Sequence, residues 1–227
     1  STMVVDSTGV LWIGTSAAGL IRFEGGVART FTTRDGLASD TVRSLHADRE
    51  GSLWIGTAAG LNRLRDGRFE SLTRRDGLAD DLIGPFMEDR EGNLWVGSGG
   101  GLIRLNEGKF SRLPLPPELT QVAPTTALQT QDGAVWVGSG QHLLRYQGGG
   151  WTRPGPPGGV CVEQIRVLGQ DRTGALWIGG DKGARGRANL CRLDGDRTVD
   201  FTSAQGLPDK ESIRSLFEDG NGTLWAG

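Results

Sequence analysis

Histidine, cysteine, methionine and tyrosine are scarce: the 227 residues include two His, two Cys, two Met and one Tyr. Two thiols cannot furnish a four-thiolate zinc site, and neither His-x-x-x-His nor EF-hand spacing occurs, so no metal and no cofactor is expected. With only His46 and His142 available, no Cys–His or Ser–His–Asp set can be assembled, and catalysis is not expected of this segment. No apolar run approaches the roughly 18 residues of a membrane-spanning helix, and the first residues lack the charged-then-apolar pattern of a signal peptide. Charge of one sign is missing too. Against 27 acidic residues stand 25 basic ones, a net charge of −2, so neither nucleic acid nor a membrane surface is an expected partner. Glycine, in contrast, is plentiful at 38, with 9 Pro, which argues against a helical bundle. The apolar share is ordinary for a globular chain, which argues against disorder.

Seven Trp accompany the single Tyr, and six of them keep time along the chain. Trp12, Trp54, Trp95, Trp136, Trp177 and Trp225 are spaced by 42, 41, 41, 41 and 48 residues. Around them one phrase recurs: DSTGVLWIGT from Asp6, DREGSLWIGT from Asp48, DREGNLWVGS from Asp89, TQDGAVWVGS from Thr130, DRTGALWIGG from Asp171 and DGNGTLWAG from Asp219. A Gly-rich step and an apolar-x-Arg run follow the first five, with Arg22, Arg63, Arg104, Arg145 and Arg192 in the matching place. Three connectors share a Gly-Leu turn: RDGLASDTV from Arg34, RDGLADDLI from Arg75 and AQGLPDKESI from Ala204.

A repeat of about 41 residues reads as four short strands joined by tight Gly turns, with Val42–Ala47, Leu53–Thr57, Leu61–Leu64 and Arg68–Leu72 as one set. This predicts an all-β fold, a β-propeller of four-stranded antiparallel blades, with complete blades near 1–32, 42–72, 83–113, 124–153 and 163–202 and half of another at 213–227. The recurring Trp is expected to pack one blade on the next, since burying an aromatic side chain contributes roughly 1.5–3 kcal/mol. Trp151, whose equivalents in the other fourth strands are Phe31, Phe69, Phe110 and Phe201 or Val199, is also expected to pack. The repeated Arg, matched by a recurring turn Asp, is expected to pair or hydrogen-bond within or between blades. His46, at a position otherwise held by Val4, Met87 and Phe217, is expected in the core.

The phrase D-x-x-G-x-L-W-I-G-T, the following G-L-x-R and the connector G-L-x-x-x-x-V resemble the two-component regulator propeller repeat over essentially the whole chain. The resemblance implies an extracytoplasmic sensor, on the periplasmic or extracellular side of a bacterial membrane. Such a sensor is joined to downstream signalling domains of the kinase, cyclase or transcription-factor kind and can dimerise. It implies a small-molecule or glycan ligand, an oligosaccharide or anionic sugar. Rings of this kind are typically seven-bladed, so five and a half blades read as part of a larger ring; closure of five blades with a dangling hairpin is the alternative.

Departures from the repeat mark candidate ligand contacts, because scaffolds repeat and sites do not. The loop after Trp177 is longer than its counterparts and carries Lys182, Arg185 and Arg187, cations suited to a carboxylate or sulfate. Gln141 and His142 stand where other blades have Ala-Gly or Gly-Gly, and their amide and imidazole suit sugar hydroxyls. A simpler reason for His142 is a backbone that needs no positive φ there. Arg34 and Arg75 flank the connector turns beside Asp35 and Asp76, while Leu37, Leu78 and Leu207 plug the blade edge. Cys161 and Cys191 lie before the first and within the third strand of blade five; a bond requires the connector to fold across the sheet, which leaves bonded and free forms open. Two other functions are weighed: a scaffold binding protein partners, and a propeller enzyme resembling virginiamycin B lyase.

Overall fold

The protein is described from a computed structural model, which covers residues 2–106, 108–113, 115–116, 123–156, 160–182, 188–207 and 212–227. It divides into two compact units, Ser1–Ala123 and Pro124–Gly227. In the first, blade one comprises β1 (Thr2–Val5), β2 (Leu11–Gly14), β3 (Leu20–Glu24) and β4 (Val27–Phe31). Blade two comprises β5 (Val42–Ala47), β6 (Leu53–Thr57), β7 (Gly60–Arg65) and β8 (Arg68–Leu72). Blade three comprises β9 (Ile83–Glu88), β10 (Leu94–Ser98), β11 (Gly101–Asn106) and β12 (Lys109–Leu113).

In the second unit, blade four is formed by β13 (Thr126–Gln129), β14 (Val135–Ser139), β15 (His142–Gln147) and β16 (Gly150–Thr152). Blade five follows with β17 (Gln164–Gln170), β18 (Leu176–Asp181), β19 (Leu190–Asp194) and β20 (Arg197–Phe201). A two-stranded sheet, β21 (Leu216–Glu218) and β22 (Leu224–Ala226), comes last. Each four-stranded sheet is an antiparallel meander in simple strand order, the blade of a β-propeller.

Register arranges the repeat into one transverse row per blade, with all side chains of a row on one face. The rows are Val4–Trp12–Arg22–Arg29, His46–Trp54–Arg63–Glu70, Met87–Trp95–Arg104–Ser111, Leu128–Trp136–Arg145–Thr152 and Gly169–Trp177–Arg192–Val199. Register also divides the fourth-strand aromatics. Phe69, Phe110 and Trp151 face Leu64, Leu105 and Tyr146, whereas Phe31 and Phe201 face Leu20 and Leu190 at the far end of their strands, so the five are not equivalent.

The Trp face of one blade covers the opposite face of the next. Trp12 packs with Leu53, Ile55 and Leu64 of blade two, Trp54 with Leu94, Val96 and Ile103 of blade three, and Trp136 with Leu176 and Ile178 of blade five. Phe69 reaches back from blade two to meet Phe31 edge to face, ring centroids 5.5 Å apart. Trp12 and Trp54 are accordingly 6% and 3% exposed. In the two-stranded sheet Trp225 is 60% exposed.

Two residues after each Trp stands a glycine whose role is contact rather than backbone freedom. A Cβ on Gly56 would lie 2.8 Å from Ile83 Cγ2 and one on Gly138 2.6 Å from Ile165 Cγ2, both on the first strand of the following blade. Such glycines set how closely neighbouring blades approach. Gly56→Ala is expected to lower stability by about 1–3 kcal/mol, the usual effect of overpacking. Gly220→Ala, with nothing within 4 Å of the added methyl, should change it by less than about 0.5 kcal/mol; urea midpoints of the two variants check this.

Candidate functional site

The repeat's polar chemistry is centred on the turn before each Trp. Asp48 Oδ1 accepts the backbone N–H groups of Glu50 at 3.0 Å and Ser52 at 2.7 Å, while Oδ2 accepts the Trp54 indole N–H at 2.8 Å. The same bond joins Trp12 to Asp6, Trp95 to Asp89, Trp177 to Asp171 and Trp225 to Asp219, at 2.7–2.9 Å. Blade four substitutes Thr130, whose hydroxyl accepts from Trp136 at 3.0 Å and donates to Asp132 at 2.6 Å.

The repeated Arg does pair or hydrogen-bond within its blade, though in blades one and two not with the Asp that holds the indole: Arg22 with Glu24, and Arg63 with Ser52 and Glu50. The guanidiniums also lie against indole faces, with Arg22, Arg63 and Arg145 at 5.9, 5.1 and 5.7 Å from the centroids of Trp12, Trp54 and Trp136. Arg145 alone among these three adds an aspartate, Asp132 at 2.7 Å, in the blade where Thr130 has taken the indole. Arg104 and Arg192 hold the same row position beside Trp95 and Trp177.

The Thr130 hydroxyl, opposed by burial and helped by Arg145, lowers the Asp132 carboxyl to about 2. For Asp6 and Asp171 burial pushes upward, yet bonds from the neighbouring Thr hydroxyl, the indole and turn amides leave both below the ordinary value. A folded pKa below the unfolded one gives stability that is present above about pH 4 and lost as pH falls through the folded value. Asp132→Asn should therefore be less stable than the parent at pH 6, with the gap shrinking between about pH 4 and 2 in denaturant titrations.

At the connector edge, each Gly-Leu turn is a 3₁₀ turn closed by a capping box, Thr32 with Asp35, Thr73 with Asp76 and Thr202 with Gln205. Gly36 and Gly77 end the turns at φ 112° and 105°. Leu37 and Leu78 point inward and are buried, while Leu207 is half-buried and Arg34 and Arg75 are exposed. The sequence did not flag Asn62. Its buried amide accepts from Ala38 N at 2.8 Å and donates to Gly36 O at 3.1 Å, tying the connector to blade two.

Gln141 is exposed at the β14–β15 turn, and His142 begins β15. The positive φ that blade two assigns to Gly60, at 142°, moves here to Gly140, at 58°, so His142 occupies a conformation open to any residue. Arg153 donates to His142 Nδ1 at 2.9 Å. Since Arg has no acceptor, the neutral imidazole carries its proton on Nε2. The two side chains line a depression of about 320 Å³ with Leu143, Pro154, Gly155, Pro156 and Val160. Arg153 went unnoticed in the sequence because it directly follows the fourth strand, the place where blades one, two and five carry the capping Thr32, Thr73 and Thr202, and blade four has no Gly-Leu connector to mark it.

Lys182 is exposed just after β18; Arg185 and Arg187 lie outside the described residues. The connector does fold across blade five: Cys161 and Cys191 form a disulfide with Cα atoms 6.2 Å apart. Cys161 and Val162 are buried with Cys191 in one apolar cluster, and Val160 N donates to Gln141 O at 3.3 Å. Closing a loop of 30 residues contributes about 2–4 kcal/mol. Asp200 lies near both sulfurs, but the bond leaves no thiolate to ligate a metal.

The expectation of a core histidine at position 46 is corrected. His46 is half-buried, and its Nε2 lies 3.3 Å from Glu88 Oε2 of blade three. Glu88 belongs to a recurring clamp. The residue before the turn Asp of one blade accepts the backbone N–H after the turn Asp or Thr of the preceding blade: Glu88 from Arg49 at 3.3 Å, Gln170 from Gln131 at 2.7 Å and Glu218 from Arg172 at 2.7 Å.

Along the same turn edge, clefts separate neighbouring blades. They measure about 480 Å³ between blades one and two, 450 Å³ between two and three and 270 Å³ between four and five. In the second cleft the charges pair with one another, Arg63 and Arg65 with Glu50 and Arg49 with Glu88.

Row, clamp and capping-box connector together define a class, the Asp–Trp propeller repeat. Two stretches of it, residues 36–59 and 206–227, match the family model of the two-component regulator propeller. No protein of curated function matches the sequence. Among solved structures, the fold is shared with extracellular domains of two candidate hybrid two-component systems of B. thetaiotaomicron, at 22% and 19% identity with TM-scores of 0.68 and 0.76. The alignments cover 99% of this chain in both cases, and the chain spans 36% and 32% of those relatives' length. Virginiamycin B lyase from Staphylococcus aureus is similar at 16% identity and a TM-score of 0.71, with 99% of this chain and 82% of that one covered. Among the described residues no helix is long and apolar enough to cross a membrane.

Proposed function

We propose that the chain is a ligand-sensing propeller segment of a two-component-type regulator, lying on the periplasmic or extracellular side of a bacterial membrane. What supports this is the Asp–Trp repeat itself, whose family model is named for such regulators and whose fold recurs in extracellular domains of the candidate hybrid systems. The ligand in this reading is an oligosaccharide. It meets Gln141, the Nε2–H of His142 and the Arg153 guanidinium at the connector edge of blade four, a set of donors and acceptors suited to hydroxyl and carboxylate groups. Bound ligand would bias downstream signalling domains, or a dimer of them, only through a difference in affinity for two arrangements.

Catalysis of the lyase kind forms no part of the proposal, and turnover abolished by His142→Ala would overturn that exclusion. Calorimetry of the intact chain with a panel of neutral and acidic oligosaccharides tests direct sensing. Binding that weakens about tenfold in Arg153→Ala supports it, and no binding across the panel contradicts it.

A further inference from the structure

We propose that the cleft between blades one and two is a binding site for an acidic sugar, held through Arg22 and Arg29. This rests on the reading of the chain as a ligand-binding segment and adds a site at the turn edge of blade one, distinct from the one at the connector edge of blade four.

The five transverse rows agree at their second and third positions, always Trp then Arg, and differ at the fourth: Arg29, Glu70, Ser111, Thr152 and Val199. Blade two sets an acid against its Arg, and blade one sets a second cation directly opposite the first. Like charges opposed across two strands are destabilising, so the cross-strand partner does not explain the second Arg. Each guanidinium rests on an aromatic face, Arg22 at 5.9 Å from the Trp12 centroid and Arg29 at 4.6 Å from that of Phe31, and both line the same cleft. Arg22 has an ion pair with Glu24; Arg29 has none among the described residues.

The clamp that links blade two to three, blade four to five and blade five to the two-stranded sheet is missing here. Ser7 and Ala47 hold the positions taken elsewhere by Arg49 and Glu88, and Ala47 offers no acceptor to reach across. Both side chains line the open cleft of about 480 Å³ instead. The carboxylates of Asp6 and Asp48 on its rim are already engaged by turn amides and indoles. Asp66 also lies on the rim, and Val10, Leu53 and Leu64 form the apolar wall. Paired guanidiniums for a carboxylate, a carboxylate for hydroxyls and an apolar wall beside Trp12 together fit a sugar ring bearing an acid group.

The test is calorimetry on the intact chain with trigalacturonate, neutral galactotriose as the control, and ¹H–¹⁵N spectra following the Trp12 indole. Trigalacturonate should bind and shift that resonance, and galactotriose should not. Arg29→Gln should weaken binding about tenfold while raising the melting temperature of the free protein, because repulsion is relieved. A purely structural Arg29 would not give that opposite pair of effects. The double variant Ser7→Arg, Ala47→Glu installs the clamp of blades two and three; it should abolish binding with the fold retained by circular dichroism. Binding unchanged in Arg29→Gln overturns the site. If His142→Ala abolishes binding while Arg29→Gln does not, the inference fails and the proposed function stands; no binding of any acidic sugar overturns the site, and the proposed function falls with it only if neutral oligosaccharides fail to bind as well.

Discussion

The hydrogen bond from each Trp indole to the turn Asp is the interaction on which the rest of the blade depends. One carboxylate does two jobs. An oxygen closes the tight turn between the first two strands by accepting its amides, and the other fixes the ring that must lie flat against the next sheet. A bulky ring in a four-stranded blade could adopt several rotamers, and the bond to a rigid turn selects one. The Arg beside it then has a flat surface to lie on, and the glycine two residues further lets the neighbouring strand come close enough to be covered. Blade four shows that the geometry, rather than the residue, is what is kept. Thr130 supplies the acceptor there, and Asp132 is released to hold Arg145.

Much of this was legible in the sequence because a periodic phrase reports a periodic packing problem. The strand positions in blade two, the Trp that covers a neighbour and the buried Leu37 and Leu78 all follow from pattern and spacing. The partners of polar groups did not follow. Arg63 and Asp48 recur together in sequence, which suggested a contact between them; only the structure shows that Trp54, the cross-strand neighbour of Arg63, takes the turn carboxylate with its indole. His46 looked like core because its aligned residues are apolar, yet the turn edge of that strand leaves room for an acid from the next blade. The disulfide depended on the path of a connector, which strand spacing alone cannot give.

The candidate ligand contacts sit where the repeat relaxes. The first three positions of each row are constrained by packing, so chemical freedom is left to the outer strand, the clamp pair and the connector edge. Blade one uses that freedom to oppose two cations beside an unclamped cleft, and blade four uses it to set His142 against Arg153. Conversely, the acids lining the turn edge are mostly committed to indoles and turn amides, so counting carboxylates on that edge overstates the negative charge open to a cation.

The central claim is that the Asp–indole bond, and not ring burial alone, holds neighbouring blades in place. A double-mutant cycle on Asp48 and Trp54, using Asp48→Ala and Trp54→Phe with stability read by urea unfolding, measures that bond directly. The account predicts a coupling of about 1.5–3 kcal/mol, the range for a hydrogen bond to a charged group in a partly buried site. Strictly additive losses, with coupling below about 0.5 kcal/mol, would contradict it.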